Sequence, residues 1–267
     1  VAYEGVDGKE KKGMAMEKDM KAIELPTVPL FDVGEGEPII LLHGLFGNLS
    51  NWGQVAFEFT ATHRVLIPRL PLYSTPLTRE RLDNLVDYVE NFIEELRLEQ
   101  VTLMGNSLGG HIALLYAWRH PEKVKKLVLA GSSGLTENSF GGTFPRVKDY
   151  DYIRERVEST FYKREVVTKQ LVDEVYETVQ SRTRTLSIIG LARAAQRHNV
   201  TDMLREINTP TLLIWGRQDT ITPPEVALEF HDLLPRSQVI FLDQCGHVPM
   251  MEHPKLFNRH VRIFLEQ

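Results

Sequence analysis

Residues 102–116 read TLMGNSLGGHIALLY, and the order of residue types in this stretch decides how the chain is built. The apolar run before Gly105 has the character of a buried strand, and the run from His111 that of a buried helix. Between them the chain must turn sharply, with small residues where strand and helix crowd together. Gly105 and Gly109 supply them. The residue at the apex, Ser107, is then held in a strained backbone conformation with its side chain clear of the sheet and beside a helix N-terminus. G-N-S-L-G thus matches the G-x-S-x-G pattern of a nucleophile elbow. The competing reading is a helix N-cap serine flanked by packing glycines; the pentapeptide alone leaves both open.

The surrounding chain narrows the choice. It has 267 residues, 42% of them hydrophobic, enough for one α/β domain with or without an insertion. The net charge of −5 argues against a nucleic-acid surface. A single cysteine, Cys245, excludes an intramolecular disulfide and a cysteine-rich zinc site. No apolar run approaches the length of a membrane span. Residues 1–20 are polar and charged, read as an N-terminal extension without the apolar core of a signal peptide. The expected location is cytoplasmic, although a chain beginning at Val1 leaves room for a removed leader.

Strand-like and helix-like segments then alternate. Ile39–Leu42 is a continuous apolar run ending in His-Gly. HRVLIPRL, QVTLM, VKKLVLAGSS, TPTLLIWGRQD and SQVIFLDQCGH are further strands. TRERLDNLVDYVENFIEELRL carries its apolar residues at helical spacing, and PEVALEFHDLL and HPKLFNRHVRIFLEQ also read as helices. The alternation predicts right-handed crossovers and a mostly parallel central sheet flanked by helices. Residues 139–199 break it with three helical patterns and no strand. The expected organisation is therefore a core of 21–138 and 200–267, with 139–199 as a helical cap over the strand ends where ligands bind in such sheets.

Three loops fall where an elbow serine needs help. Asp219 lies just past one strand end, His247 follows the next strand, and a glycine loop, His43–Gly47, follows an early one. A serine hydroxyl is a poor nucleophile, so a neutral imidazole must take its proton. A carboxylate sets the imidazole tautomer and stabilises the imidazolium. Backbone amides must hold the developing oxyanion. The candidates are Ser107, His247 and Asp219 for catalysis, and the amides of Leu45 and Leu108 for the oxyanion, with Phe46 replacing Leu45 if the loop is displaced by one residue. Asp243 competes with Asp219 but sits on the same strand-loop unit as His247, so Asp219 is favoured.

The chain order Ser107, Asp219, His247 and the pieces HGLFG (43–47), GNSLGG (105–110), WGRQD (215–219) and GHVPMMEHP (246–254) together resemble the α/β-hydrolase family from about Lys21 to Gln267. Within it, GNSLGG and the position of the helical insertion are most similar to capped carboxylesterases and to meta-cleavage-product hydrolases, which cut carbon–carbon bonds in vinylogous diketones. The resemblance implies a cofactor-independent serine hydrolase with a covalent acyl-enzyme, acting on small to medium apolar carboxylic esters. It leaves a carbon–carbon hydrolase, a perhydrolase, or a ligand-binding receptor with slow turnover as alternatives. The sequence departs from the pattern at Arg69 and Leu72, where many relatives have Asp and Gly. It departs again at Val248, where the carbon–carbon hydrolases often carry Trp. A serine nucleophile argues against the haloalkane dehalogenases and epoxide hydrolases.

An apolar substrate pocket is expected from Phe46, Leu108, Phe140, Phe144, Tyr152, Val248 and Met250. The partner is a small apolar acyl compound, with no cofactor and no metal, since no metal-ligand spacing appears among the nine histidines. Oligomeric state is not legible. His43 reads as a hydrogen-bonding residue behind the oxyanion loop, and His111 is carried away from the serine by its helix. Glu252 and His253 read as a turn and helix start, His198 as solvated at the cap exit, and Cys245 as a small buried residue. Arg182 and Arg184 read as a solvated helix face.

Overall fold

The computed structural model describes residues 29–47, 49–73, 81–138 and 146–267. The expected N-terminal extension, the first residues of the expected cap, and Phe140 and Phe144 lie outside them. Seven strands form one sheet: β1 (Pro29–Val33), β2 (Pro38–Leu42), β3 (Arg64–Pro68), β4 (Val101–Asn106), β5 (Val124–Ala130), β6 (Thr211–Gly216) and β7 (Ser237–Leu242). Their spatial order is β1-β3-β2-β4-β5-β6-β7. β1 runs antiparallel to β3, and every other pair is parallel. This is the mostly parallel sheet that the alternation implies.

Period-two side-chain geometry explains why the strands read as unbroken apolar runs. Ile40, Leu42, Leu103, Leu129 and Leu213 enter one buried layer, while Ile39, Leu41, Met104, Val128 and Ile214 enter the layer on the opposite face. The first layer is closed by α2 (Arg81–Glu95), α3 (Leu108–Arg119) and α8 (Pro224–Leu233). Leu82, Leu85, Val86, Val89, Phe92 and Ile93 line the inner stripe of α2. The second layer is closed by α1 (Leu49–Phe59) and α10 (Pro254–Leu265), through Trp52, Val55, Phe59, Phe257, Val261 and Phe264. Each fully buried large side chain contributes roughly 1.5–3 kcal/mol.

Between β5 and β6 the sheet is interrupted by α4 (Tyr150–Glu158), a 3₁₀ turn (Arg164–Val166), α5 (Lys169–Gln180), α6 (Arg182–Arg197) and the short α7 (Thr201–Leu204). Asp149, Thr168 and Ser181 cap α4, α5 and α6, each accepting a bond from a first-turn amide. The inserted helices are half-buried. Ile153, Val157, Leu171, Val172, Val175 and Val179 extend the second layer, whereas Leu191 and Ala195 of α6 join the first. A last short helix, α9 (Pro249–Glu252), leads into α10.

Candidate active site

The turn from β4 into α3 places Ser107 at φ 54° and ψ −120°, a positive-φ conformation that a non-glycine residue adopts only under strain. Its hydroxyl makes no cap bond to α3, which removes the N-cap reading. The close approach requires the flanking glycines: a Cβ on Gly105 would overlap the backbone of Gly109, and one on Gly109 would overlap the Leu42 carbonyl. The turn is pinned from several sides. The Ser107 amide donates to the Ala130 carbonyl at 3.2 Å, and the Ser133 amide donates to the Ser107 carbonyl at 3.1 Å. Asn106, a residue that sequence reasoning left without a role, donates from Nδ2 to the carbonyls of Ala130 (2.8 Å) and His247 (3.1 Å). It thereby joins the serine turn to the histidine loop.

Asp219 and His247 meet although 28 positions separate them. The Asp219 side chain is wholly buried. Its Oδ1 accepts the amides of Ile221 (2.9 Å) and Thr222 (3.0 Å), and its Oδ2 accepts the Thr222 hydroxyl at 2.9 Å. The same Oδ2 lies 2.9 Å from His247 Nδ1. With Nδ1 facing the carboxylate, Nε2 is the ring nitrogen left for Ser107. Burial opposes a charge on the His247 ring, but the nearby carboxylates, Asp219 foremost and then Glu137 and Glu252, outweigh it and raise its pKa above the ordinary imidazole value. Asp243 is exposed and accepts from Gln218 Nε2 instead.

The glycine loop after β2 closes with the Gly47 amide on the Gly44 carbonyl at 3.0 Å, leaving Leu45 and Phe46 at its crest. His43 is buried behind it, with Nδ1 2.9 Å from the Gly44 carbonyl, and burial lowers its pKa. Gly44, Leu45, Phe46, Ser107, Leu108, His247 and Val248 all line one cavity of about 150 Å³. The inserted helices supply its other wall through Ile153, Val157, Phe161, Leu171, Val175 and Ile188.

Tyr152 and Met250 do not line the cavity. On α4 the positions facing it are Ile153, Arg156 and Val157, so Tyr152, one residue out of that helical register, lies instead against the Arg146 guanidinium. Met250 lies on α9, where the chain has turned away from Val248, and is buried in the second apolar layer. The Arg69–Leu72 stretch is also absent from the lining: Arg69 is exposed and Leu72 packs into the first layer. Arg182 is absent from it too, and Arg184 lies over the Tyr73 ring.

Four further residues take places that the sequence only partly announced. His111 is fully buried, with Nε2 3.2 Å from Nδ1 of His198, which is therefore half-buried and paired rather than solvated. Burial and the His198 ring push the pKa of His111 down to about 3. Cys245 is buried, and burial raises its thiol pKa. Glu252 is no mere helix-start residue. Its buried carboxylate accepts the Gly246 amide at 2.7 Å and the amides of Tyr162 and Lys163 at 2.8 and 2.9 Å. The His247 amide donates to the Thr160 carbonyl at 2.9 Å. The loop bearing His247 is thus tied directly to the segment between α4 and the 3₁₀ turn. Among the described residues no group of three or more His, Cys, Asp or Glu is arranged to hold a metal ion, and no helix is long and apolar enough to cross a membrane.

The profile of the α/β hydrolase fold matches residues 37–254. A 2-hydroxy-6-oxononadienedioate/2-hydroxy-6-oxononatrienedioate hydrolase of Cupriavidus pinatubonensis strain JMP 134 is 30% identical over 259 residues, covering 88% of this chain and 89% of its own. Among solved structures, MGS-MChE2, an α/β hydrolase enzyme from the metagenome of sediments of the Mar Chica lagoon, Morocco, is 40% identical with a TM-score of 0.72, covering 88% of this chain and 93% of that one. A membrane phospholipase A, described as a bacterial virulence factor, is 26% identical with a TM-score of 0.77, covering 88% and 81%.

Proposed function

The chain belongs to the α/β-hydrolase family, and from that premise we propose that it is a serine hydrolase of small to medium apolar carboxylic esters, acting through an acyl-enzyme on Ser107. The observation that carries this reading is the joint placement of Ser107, His247, Leu45 and Leu108 in the lining of one cavity, to which the inserted helices add Ile153, Val157, Leu171, Val175 and Ile188. In the first step His247 Nε2 takes the Ser107 proton as Oγ adds to the ester carbonyl. The Asp219 carboxylate holds the ring and stabilises the imidazolium. The amides of Leu45 and Leu108 receive the negative oxygen. The imidazolium protonates the departing alcohol, and a water activated by the same ring releases the acid. Residues 139–199 act as a cap that shields the pocket and limits substrate size.

A second reading, hydrolysis of a carbon–carbon bond in a vinylogous diketone, is favoured by the hydrolase activity for which the Cupriavidus relative is named. The same nucleophile, base and oxyanion donors serve both reactions, so substrate preference separates them. Purified protein assayed on esters of graded acyl length and on a vinylogous diketone should turn over the esters with the higher kcat/KM. A kcat/KM for the diketone above that of every ester overturns the ester reading.

A further inference from the structure

Three ionisable side chains lining the cavity, Glu137, Arg156 and Arg193, have no part in this chemistry, and Glu137 is the one acid among them. Glu137 lies on the loop that leaves β5, among lining residues that are mostly aliphatic or aromatic. Its placement is fixed. The Asn138 amide donates to the Ile221 carbonyl at 2.7 Å, and Asn138 Nδ2 donates to the Thr220 carbonyl at 3.0 Å, so this loop is laced to the one bearing Asp219. The Ser133 hydroxyl donates to Glu137 Oε2 at 2.6 Å. Among the described residues Oε1 accepts no hydrogen bond and forms no ion pair. Desolvation raises the carboxyl pKa against the opposing effects of the Ser133 bond and the His247 charge. The influence is mutual, since Glu137 also helps raise the pKa of His247. The two groups are therefore electrostatic neighbours. Arg156 of α4 and Arg193 of α6 line the cavity from the inserted helices.

A half-buried carboxylate is costly unless something uses it. The serine proton needs no second base, because His247 already faces Asp219. Ser133 occupies only one of the two oxygens. The other is suited to a donor on the substrate, and at a half-buried position its charge repels like charges more than it would in bulk solvent. We propose that Glu137 is a substrate-selecting carboxylate: it admits uncharged acyl compounds, favours those bearing a hydroxyl or ammonium donor, and repels those bearing a carboxylate near the scissile bond. This rests on the ester reading and adds to it a charge preference that runs opposite to the dioate named in the Cupriavidus relative.

The test compares wild type with Glu137→Gln, which preserves shape and can still accept from Ser133, and with Glu137→Asp, which preserves charge. Two substrate pairs probe the two sides of the scissile bond. One is p-nitrophenyl hemisuccinate against p-nitrophenyl butyrate. The other is butyrylcholine against its neutral isostere with carbon in place of nitrogen. For Glu137→Gln, the anionic-to-neutral kcat/KM ratio should rise, or the cationic-to-neutral ratio fall, by about tenfold in at least one pair. Glu137→Asp should stay nearer wild type. Because ratios are read, a loss of activity common to all substrates does not mimic the effect. Ratios unmoved within twofold in both pairs overturn the proposal. If wild type hydrolyses none of the four, the ester reading fails on its own. The charge preference is then read from inactivation rates of Ser107 with neutral and carboxylate-bearing phosphonates, where an unchanged ratio in Glu137→Gln overturns it equally.

Discussion

The serine turn and the inserted helices line the same cavity but are built by opposite means. From β4 to α3, residues 101–117 are buried apart from the partly accessible Ser107. Glycine contacts, a strained φ, backbone bonds to the end of β5 and the loop after it, and the Asn106 side-chain bond to the His247 loop hold this turn. In α4–α6 apolar stripes alternate with exposed charges. The surface pairs there, Arg154 with Asp151 and Glu158, and Lys169 with Asp173, contribute little. One region has almost no freedom to change without losing the arrangement of reacting groups. The other can exchange side chains on its inner stripe and reshape the pocket. The lesson is a division of labour that the proposed function requires: the sheet edge would carry the chemistry, and the insertion would set which substrates reach it.

The largest expected effect tests the rigid side. Asp219→Asn leaves the geometry nearly intact but favours the wrong His247 tautomer, and should lower kcat by about 10⁴. Asp243→Asn, on an exposed residue outside the cavity, should change kcat by less than about twofold. Steady-state rates on one ester decide between them, and reversed results would transfer the acid role to Asp243.

Glu252 tests whether the two regions are as separate as the contrast suggests. It holds Gly246 on one oxygen and the amides of Tyr162 and Lys163 on the other. Glutamine would direct an NH₂ at one set of N–H groups. Glu252→Gln should therefore cost roughly 2–4 kcal/mol of stability. It should also lower kcat by about tenfold or more while moving KM less, because the His247 loop loses its anchor. Thermal unfolding and a kcat-against-KM split check this, and a fall in stability with unaltered kcat would make Glu252 purely structural.

The selective side is tested by filling the pocket. Val175 of α5 is buried and lines the cavity. Val175→Phe should reduce kcat/KM for a long-chain ester by roughly tenfold and for an acetate by no more than about twofold, as measured on a chain-length series. Equal losses on both would assign selectivity to the core loops.

The smallest effect is in pH dependence. His247 must be neutral to accept the serine proton, and its pKa is raised. The acid limb of kcat/KM should therefore lie above the ordinary imidazole range, with activity lost as pH falls through it. Glu137→Gln removes one of the carboxylates that raise this pKa, so the limb should slide toward lower pH. A limb that stays fixed would mean that Asp219 alone sets the titration.

How much of this was legible in the sequence follows the same division. The sheet was readable because its central strands are buried on both faces and are therefore apolar without interruption, as in Ile39–Leu42 and Leu127–Ala130. The serine turn was readable because close packing leaves few residue types able to occupy its glycine positions. α1 is harder to read: Gly53 lowers the helix propensity of the stretch, although Trp52, Val55, Ala56 and Phe59 keep a helical spacing. Pocket residues on the insertion were harder, since a one-residue step on α4 separates Ile153 inside from Tyr152 outside. Glu137, Glu252 and the His111–His198 pair were hidden for another reason. Each role depends on a partner brought close only by folding, as with Glu252 and Tyr162, 90 positions apart.

In the proposed reaction Ser107 carries the acyl group between two half-reactions. Rapid acid quench of the protein with a slowly deacylating p-nitrophenyl ester, followed by intact and peptide mass spectrometry, tests it most directly. The expected result is a mass increase equal to the acyl group, located on the peptide containing Ser107 and absent from Ser107→Ala. An acyl adduct on another residue, or turnover by Ser107→Ala at a rate within tenfold of wild type, would contradict it.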